Sequence, residues 1–401
     1  MDDHQATPAA TGPGPATIAA VDSGALFRPF GLEGLELSNR LVMAPMTRWF
    51  SPGGVPGDEV ARYYARRAPH MGLLITEGAF ISHPSSGSNQ DIPHAYGSAA
   101  LDGWGRVVEA VHEAGGRIAM QLWHVGLARR QDGPLHPGVP ALSPSGVDGL
   151  GHTVGRAATR DDLRAITESY AQAAADAQRI GFDGVEVHGA HGFLLDSFVW
   201  TRTNRREDEY GGVLTNRVRF PVEVVSAIRD AVGPGFPILY RFSQWKNGAY
   251  DARIADDPDE LARILRPLAD AGVSAFHAST RRFWAPAFDG SPLTLAGWAA
   301  KVSGRPAIAV GSAGIDSPGS SGNGSAPSPT SGDGTAHVAE AARRVAAGEF
   351  DLLAVGRAVL SDPAWAVKVR AGDPGSILRY RKEDEDTLDG LPRRLGTALG
   401  L

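Results

Sequence analysis

Gly181-Phe182-Asp183-Gly184-Val185-Glu186-Val187-His188-Gly189-Ala190-His191-Gly192-Phe193 combines a glycine turn, a short run of apolar residues and two histidines three residues apart. The run 184–187 reads as a buried strand that ends where the imidazoles begin. Two imidazoles at the end of one parallel strand can face a single small volume. There their N–H groups would hold a carbonyl or phenolate oxygen and stabilise negative charge as it develops. Two histidines satisfied within a tight turn would share the same spacing, so the surrounding chain has to decide between the two.

Working outward, the pattern of one short apolar run followed by one amphipathic stretch recurs along the chain. Strands are predicted over 41–46, 73–76, 117–122, 184–187, 238–242, 275–277, 307–310 and 352–355. Helices are predicted over 58–68, 104–114, 160–180, 216–231, 257–271, 295–302, 337–347 and 365–371. Strands apolar throughout, each followed by a helix, imply a parallel sheet covered by helices. Eight such units give the fold class: α/β, a single (β/α)8 TIM barrel. No G-x-G-x-x-G follows the first strand, which weighs against a doubly wound dinucleotide fold.

Two stretches fall outside this rhythm. Residues 1–23, rich in Ala, Pro, Thr and Gly, are predicted to be a disordered tail. The segment 317–336, rich in Ser, Gly and Pro, is predicted to be a flexible surface insertion. The barrel is expected to occupy 24–385, with 386–401 as a C-terminal tail.

The composition excludes several classes of function. At 42% hydrophobic and 21% charged, the chain is ordinary globular material. A formal charge of −6 at pH 7 argues against nucleic-acid or anionic-membrane partners. With 0 cysteines, no disulfide, thiol nucleophile, thiolate zinc site or Cys-ligated iron–sulfur cluster can form. No apolar run of transmembrane length is present, and residues Met1-Asp2-Asp3-His4 do not open a secretory signal. A cytoplasmic enzyme acting on a small molecule is the expectation. No metal is expected, since His188 and His191 lack a third ligand nearby.

In a (β/α)8 barrel the chemistry gathers at the C-terminal strand ends. Here those ends carry Pro45-Met46-Thr47, Glu77-Gly78, Gln121-Leu122-Trp123-His124, His188 and His191, Arg241, His277, Gly311-Ser312-Ala313 and Gly356-Arg357. The small residues after the seventh and eighth strands let backbone N–H groups approach a phosphate, with Arg357 placed to close on it. A plain glycine turn would look the same. The amide of Gln121 suits a ring edge with adjacent C=O and N–H, and Arg241 would stabilise charge there. An ion pair in the barrel mouth is the other reading of Arg241.

At this point the residues resemble a known family, the old yellow enzyme family of FMN-dependent ene-reductases. The resemblance runs from about Gly24 to about Ala371. It is carried by Leu37-Ser38-Asn39-Arg40-Leu41-Val42-Met43-Ala44-Pro45-Met46-Thr47-Arg48, by Gln121-Leu122-Trp123-His124, by the H-G-A-H-G run from His188 and by Arg206-Glu207-Asp208-Glu209-Tyr210-Gly211-Gly212. Asn216-Arg217-Val218-Arg219-Phe220 and Val355-Gly356-Arg357 complete it. The resemblance implies non-covalent FMN, with NADPH or NADH as reductant in the same pocket by alternation. Ala44, Pro45, Met46 and Thr47 would lie along the flavin, near Gly78, with Thr47 tuning its potential. Gln121 and Arg241 would meet its pyrimidine edge. Gly311, Ser312, Ala313, Gly356 and Arg357 would hold its phosphate. His188 and His191 would bind the carbonyl of an α,β-unsaturated substrate.

One departure from the family pattern stands out. The family's proton-donating tyrosine is replaced here by Phe193, which has no exchangeable proton. Three chemistries stay open: alkene reduction with another proton source, desaturation or isomerisation, and reduction of quinones or nitro compounds. Tyr210 belongs to a motif that looks structural, and Tyr63, Tyr64, Tyr96 and Tyr250 have no place assigned by sequence. Trp123, Phe193, Trp245, Phe283 and Trp284 are expected to wall the substrate pocket. Arg281 and Arg282 would bind anionic groups or simply meet solvent. A flavin-free barrel aldolase or isomerase would need a Schiff-base lysine, for which Lys246 is the nearest candidate.

Overall fold

The computed structural model describes residues 23–315, 335–389 and 391–392. The tail expected over 1–23 (except Ser23) and the insertion expected over 317–336 (except 335 and 336) lie outside the described residues. Strands β1 (Leu41–Met43), β2 (Leu73–Phe80), β3 (Ile118–Trp123), β4 (Gly184–His188), β5 (Ile238–Ser243), β6 (Ala275–Ser279), β7 (Ala307–Val310) and β8 (Leu352–Val355) form one closed barrel in sequence order. Every pairing is parallel, including that of β8 with β1. The outer layer is α1 (Asp58–Ala65), α2 (Ser98–Glu113), α3 (Arg160–Arg179), α4 (Leu214–Val232), α5 (Pro258–Asp270), α6 (Leu295–Ser303), α7 (Thr335–Ala346) and α8 (Trp365–Arg370).

The period-2 alternation of side chains along a strand divides the apolar core. Val42, Ile75, Ala119, Leu239, Ala275, Ile308 and Leu352 pack in one interior cluster. Leu32 and Leu37 join that cluster from an antiparallel hairpin, Phe30–Leu32 with Leu35–Leu37. The intervening residues Leu41, Leu74, Ile118, Val185 and Ile238 belong to the larger cluster shared with the helices. Helix starts follow local chemistry. Thr159 and Asp162 form a reciprocal capping box at α3. Asp257 caps α5 ahead of Pro258, and Thr294 caps α6, which Gly304 ends in the left-handed region.

Element boundaries differ from expectation for physical reasons. β1 stops at Met43 because Ala44 donates the last ladder bond, to the Val355 carbonyl, and Pro45 has no N–H to give. β2 continues to Phe80 through an irregularity between Ile75 and Gly78, where the Thr76 hydroxyl accepts the Gln121 N–H in place of a carbonyl. α2 begins six residues earlier than predicted: its first turns contain Gly103, which reads as a breaker but is needed because a Cβ there would sit 2.6 Å from the Pro56 carbonyl.

The expected tail from 386 requires correction. Thr387–Leu388 pairs with Leu391–Pro392, and Arg48 donates to the carbonyls of Asp384 and Thr387. Asp389 takes the fully buried Arg67 guanidinium at 2.9 Å, and Arg67 also donates to the Val359 and Leu360 carbonyls, each at 3.0 Å. The contacts of Arg48 with Asp384 and Thr387 and of Arg67 with Asp389 join residues more than three hundred positions apart, and no local pattern announces them.

Candidate active site

The two histidines are brought together by the turn after β4. Gly189 follows His188 where a Cβ would lie 2.2 Å from the Tyr240 hydroxyl, so only glycine passes. His191 then adopts a left-handed backbone, φ 65°, a conformation that costs a non-glycine residue energy and needs support. Its N–H donates to the Ser243 hydroxyl and its carbonyl accepts from the Asn247 N–H. The next residue, Gly192, donates to Asp196. Asp196 is in turn paired with Lys246 at 2.9 Å, both almost fully enclosed. The three N–H bonds of an ammonium find three acceptors: Asp196 and the Ser243 and Gln244 carbonyls. Lys246 is therefore a strut of this turn, with its amine committed and unavailable as a Schiff base.

The result is a perpendicular pair of imidazoles, ring centroids 5.1 Å apart. Burial, followed by the charge of Arg241, holds both well below the ordinary imidazole pKa, so both are neutral. Each can then present one N–H to an acceptor. Trp245 stacks on His191 at 4.4 Å and donates its indole N–H to the Ser279 carbonyl. The Ser279 hydroxyl lies 2.7 Å from His191 Nε2.

Pro45, Thr47, Gln121, Trp123 and Arg241 line one cleft with the histidines. Phe193 and Asn247 line it too. Asn247 was not singled out by sequence; its signal was a polar side chain two positions beyond Trp245 in the loop after β5. The strip 44–47 runs from this cleft toward the end of β8, where a Cβ on Gly356 would meet Met46 Sδ at 3.2 Å and the Ala44 Cβ at 3.7 Å. On the neighbouring strand, Gly311 (φ 150°) and Ser312 (φ 55°) open the turn after β7. The Ser312 hydroxyl donates to the Arg281 carbonyl. Ala313 is buried, and Arg357 is exposed with its guanidinium 5.4 Å from the Tyr380 ring. Gly78 sits where a Cβ would strike Trp123 at 2.6 Å and Gln121 Oε1 at 3.2 Å.

Phe193 packs edge-on to His188 and Trp123, centroids 4.9 and 5.0 Å away. Among the described residues, none that lines this cleft carries a phenol. Tyr64 receives the Glu77 N–H, Tyr210 donates to Glu223, Tyr96 stacks on His94, and the exposed Tyr250 lies under Arg281. Tyr63 is buried in α1 beneath the Arg67 guanidinium. The aromatics expected after β6 do not wall the cleft. Phe283 is core, packed on Phe350, and Trp284 stacks on His337 of α7 at 4.0 Å. The turn after β6 directs both toward the helical layer, where apolar surface awaits them.

Among the described residues, several buried polar atoms around the cleft have no partner: Arg241 Nε, His188 Nδ1, His277 Nε2 and Trp123 Nε1. Buried polar groups are normally satisfied. The unmet donors Arg241 Nε and Trp123 Nε1, beside a wall of small residues (Ala44, Gly78 and Gly356), fit a flat ligand rich in carbonyl oxygens.

Residues 25–314 match the NADH:flavin oxidoreductase / NADH oxidase family. The chain is 41% identical over 221 residues to 12-oxophytodienoate reductase 7 of Oryza sativa subsp. japonica, a match covering 52% of this chain and 56% of that protein. It is 39% identical over 225 residues to 12-oxophytodienoate reductase 1 of the same plant, covering 55% and 59% respectively. The chain thus spans little more than half the length of these curated relatives. Among solved structures it is similar to morphinone reductase in complex with tetrahydroNAD, with TM-score 0.73 and 30% identity over 90% of this chain and 93% of that one. The old yellow enzyme homologue from Zymomonas mobilis gives TM-score 0.73 and 26% identity over 90% and 96%.

Proposed function

The chain belongs to the NADH:flavin oxidoreductase / NADH oxidase family, and from that premise we propose that it is an FMN-dependent reductase of α,β-unsaturated carbonyl compounds, driven by NADPH or NADH in the cytoplasm. The observation that carries the reading is the neutral His188/His191 pair facing one cleft with Gln121 and Arg241. When bound, FMN would supply the two-electron redox chemistry that links the nicotinamide to the C=C of the substrate.

The protein's part is binding, orientation and charge. Gln121 and Arg241 would hold the pyrimidine edge, with Ala44, Pro45, Met46, Thr47 and Gly78 along the ring. Gly311, Ser312, Ala313, Gly356 and Arg357 would hold the phosphate. His188 and His191 would donate to the substrate carbonyl oxygen, and those bonds strengthen as that oxygen gains negative charge. Such a donor is typically worth about 10²–10³ in rate. Trp123 and Phe193 would exclude water from one side, and Asn247 would offer an amide.

The phenyl ring of Phe193 favours a second reading. With no acid at this position, acceptors that need no proton on carbon, such as quinones and nitro compounds, would be reduced without penalty. One experiment separates the readings: record the visible spectrum, reduce anaerobically with NADPH and with NADH, then add 2-cyclohexenone or a quinone. Flavin bands that bleach and return with the enone support the first reading, and return with the quinone alone supports the second. Protein that is colourless and cannot be reconstituted with FMN refutes both.

A further inference from the structure

Glu186 has no role in the chemistry above, yet it is a carboxylate with 0% exposure inside the barrel, two residues before His188. Each of its two oxygens has a partner. Oε1 accepts from Gln121 Nε2 at 2.7 Å, and Oε2 lies 2.6 Å from His277 Nδ1. Gln121 and Glu186 are direct register partners on β3 and β4, and His277 is the partner of Arg241 on β6 and β5. Burial works to raise the Glu186 carboxyl, but the charges of His277 and Arg241 and these hydrogen bonds hold it below the ordinary carboxylate range, so it is an anion.

A primary amide can turn either end toward a ligand. An anion can only accept, so it binds the NH2 end of Gln121 and leaves carbonyl Oε1 as the end beside Gly78. We propose that Glu186 is a positioning residue: it locks the Gln121 amide so that the edge offered to a bound ring is a hydrogen-bond acceptor. The ligand that satisfies this edge carries a ring N–H flanked by carbonyl oxygens, with the N–H on Gln121 and a carbonyl near Arg241. This rests on the FMN reading and assigns how the protein recognises the ring.

Glu186→Gln keeps the volume and removes the constraint, because a carboxamide can donate as well as accept. The test is FMN titration of apoprotein, read by quenching of flavin fluorescence, for wild type, Glu186→Gln, Gln121→Ala and the double variant. Glu186→Gln is expected to weaken FMN binding about tenfold, the worth of one oriented hydrogen bond. In the Gln121→Ala background the same change is expected to cost under about twofold, because the amide it acts through is gone. The midpoint potential of bound flavin is expected to move positive in Glu186→Gln, as a buried negative charge one hydrogen bond from Gln121 is removed; a packing role alone would not move it. If Glu186→Gln does not fold, Glu186→Asp, which keeps the charge but not the reach, must show the same non-additivity in binding. Equal penalties in both backgrounds, or an unchanged affinity and potential, overturn the proposal. Wild-type apoprotein that does not bind FMN overturns the functional reading itself.

Discussion

Phe193→Tyr places a phenol where the cleft now presents a bare ring edge. The ring at 193 lies 4.9 Å from His188 and 5.0 Å from Trp123, centroid to centroid, and is 7% exposed. A positioned general acid contributes about 10²–10⁴ in rate, equivalent to about 2.7–5.4 kcal/mol of barrier. The added hydroxyl, if left unpaired, costs about 1–3 kcal/mol of stability, which a domain with about 5–15 kcal/mol in reserve tolerates. The assay is anaerobic stopped-flow of the separate half-reactions. Enone-driven flavin reoxidation is expected to accelerate at least about a hundredfold. Reduction by NADPH and reoxidation by a quinone are expected to stay within about twofold, since neither needs a proton on carbon. An enone rate that does not move would refute the argument, because proton delivery would then come from elsewhere or not limit the reaction.

Lys246→Met is expected to destabilise the fold by about 3–5 kcal/mol, measured by chemical denaturation, because it leaves Asp196 charged and buried. A loss under about 1 kcal/mol would mean that the pair is not ionised. Gly311→Ala forces a Cβ to within 2.5 Å of the Thr280 carbonyl at φ 150°. It is expected to cost about 1–3 kcal/mol and to lower FMN retention through gel filtration; unaltered melting and retention would count against the turn's role. Stability should also fall with acid. His124, His188 and His191 are held below the ordinary imidazole value, chiefly by burial. Above about pH 6.5 both folded and unfolded chains leave them neutral. Below it the unfolded chain binds protons that the folded chain refuses, removing up to about 1.4 kcal/mol per histidine per pH unit. Melting temperatures between pH 7.5 and 5 test this, and a flat profile would contradict the burial of these rings.

The barrel was readable because strands apolar on both faces and amphipathic helices alternate eight times, a pattern set by burial alone. β7 and β8 match their predicted bounds, since Ala307–Val310 and Leu352–Val355 are uniform apolar runs with abrupt ends. His188, Gln121 and Arg241 were readable because polar residues at strand ends have few packing explanations, and the structure brings them to one cleft with Thr47. What stayed hidden depends on distance in sequence or on turn direction. Asp196 and Lys246 meet across 50 residues, and neither sits in a motif that names the other. Phe283 and Trp284 looked like pocket walls because they follow a strand end, but residue type does not say which way a turn faces.

The clasp of Arg48 and Arg67 on residues 384–389 gives the barrel a timing as well as a shape. Arg48 adjoins Thr47 in the cleft, yet its guanidinium waits for carbonyls 336 and 339 residues later. During synthesis the first βα unit leaves the ribosome long before its partners exist, with Arg67 lacking the carboxylate it will bind 322 residues on. The barrel itself can close only when β8 is present to pair with β1, and the clasp then fixes Arg48, next to Thr47 of the cleft, from residues still further along the chain. A chain cut before residue 384 therefore keeps all eight strands but leaves the guanidinium of Arg67 buried without its carboxylate, so the last residues act as a lock on a barrel that is already closed.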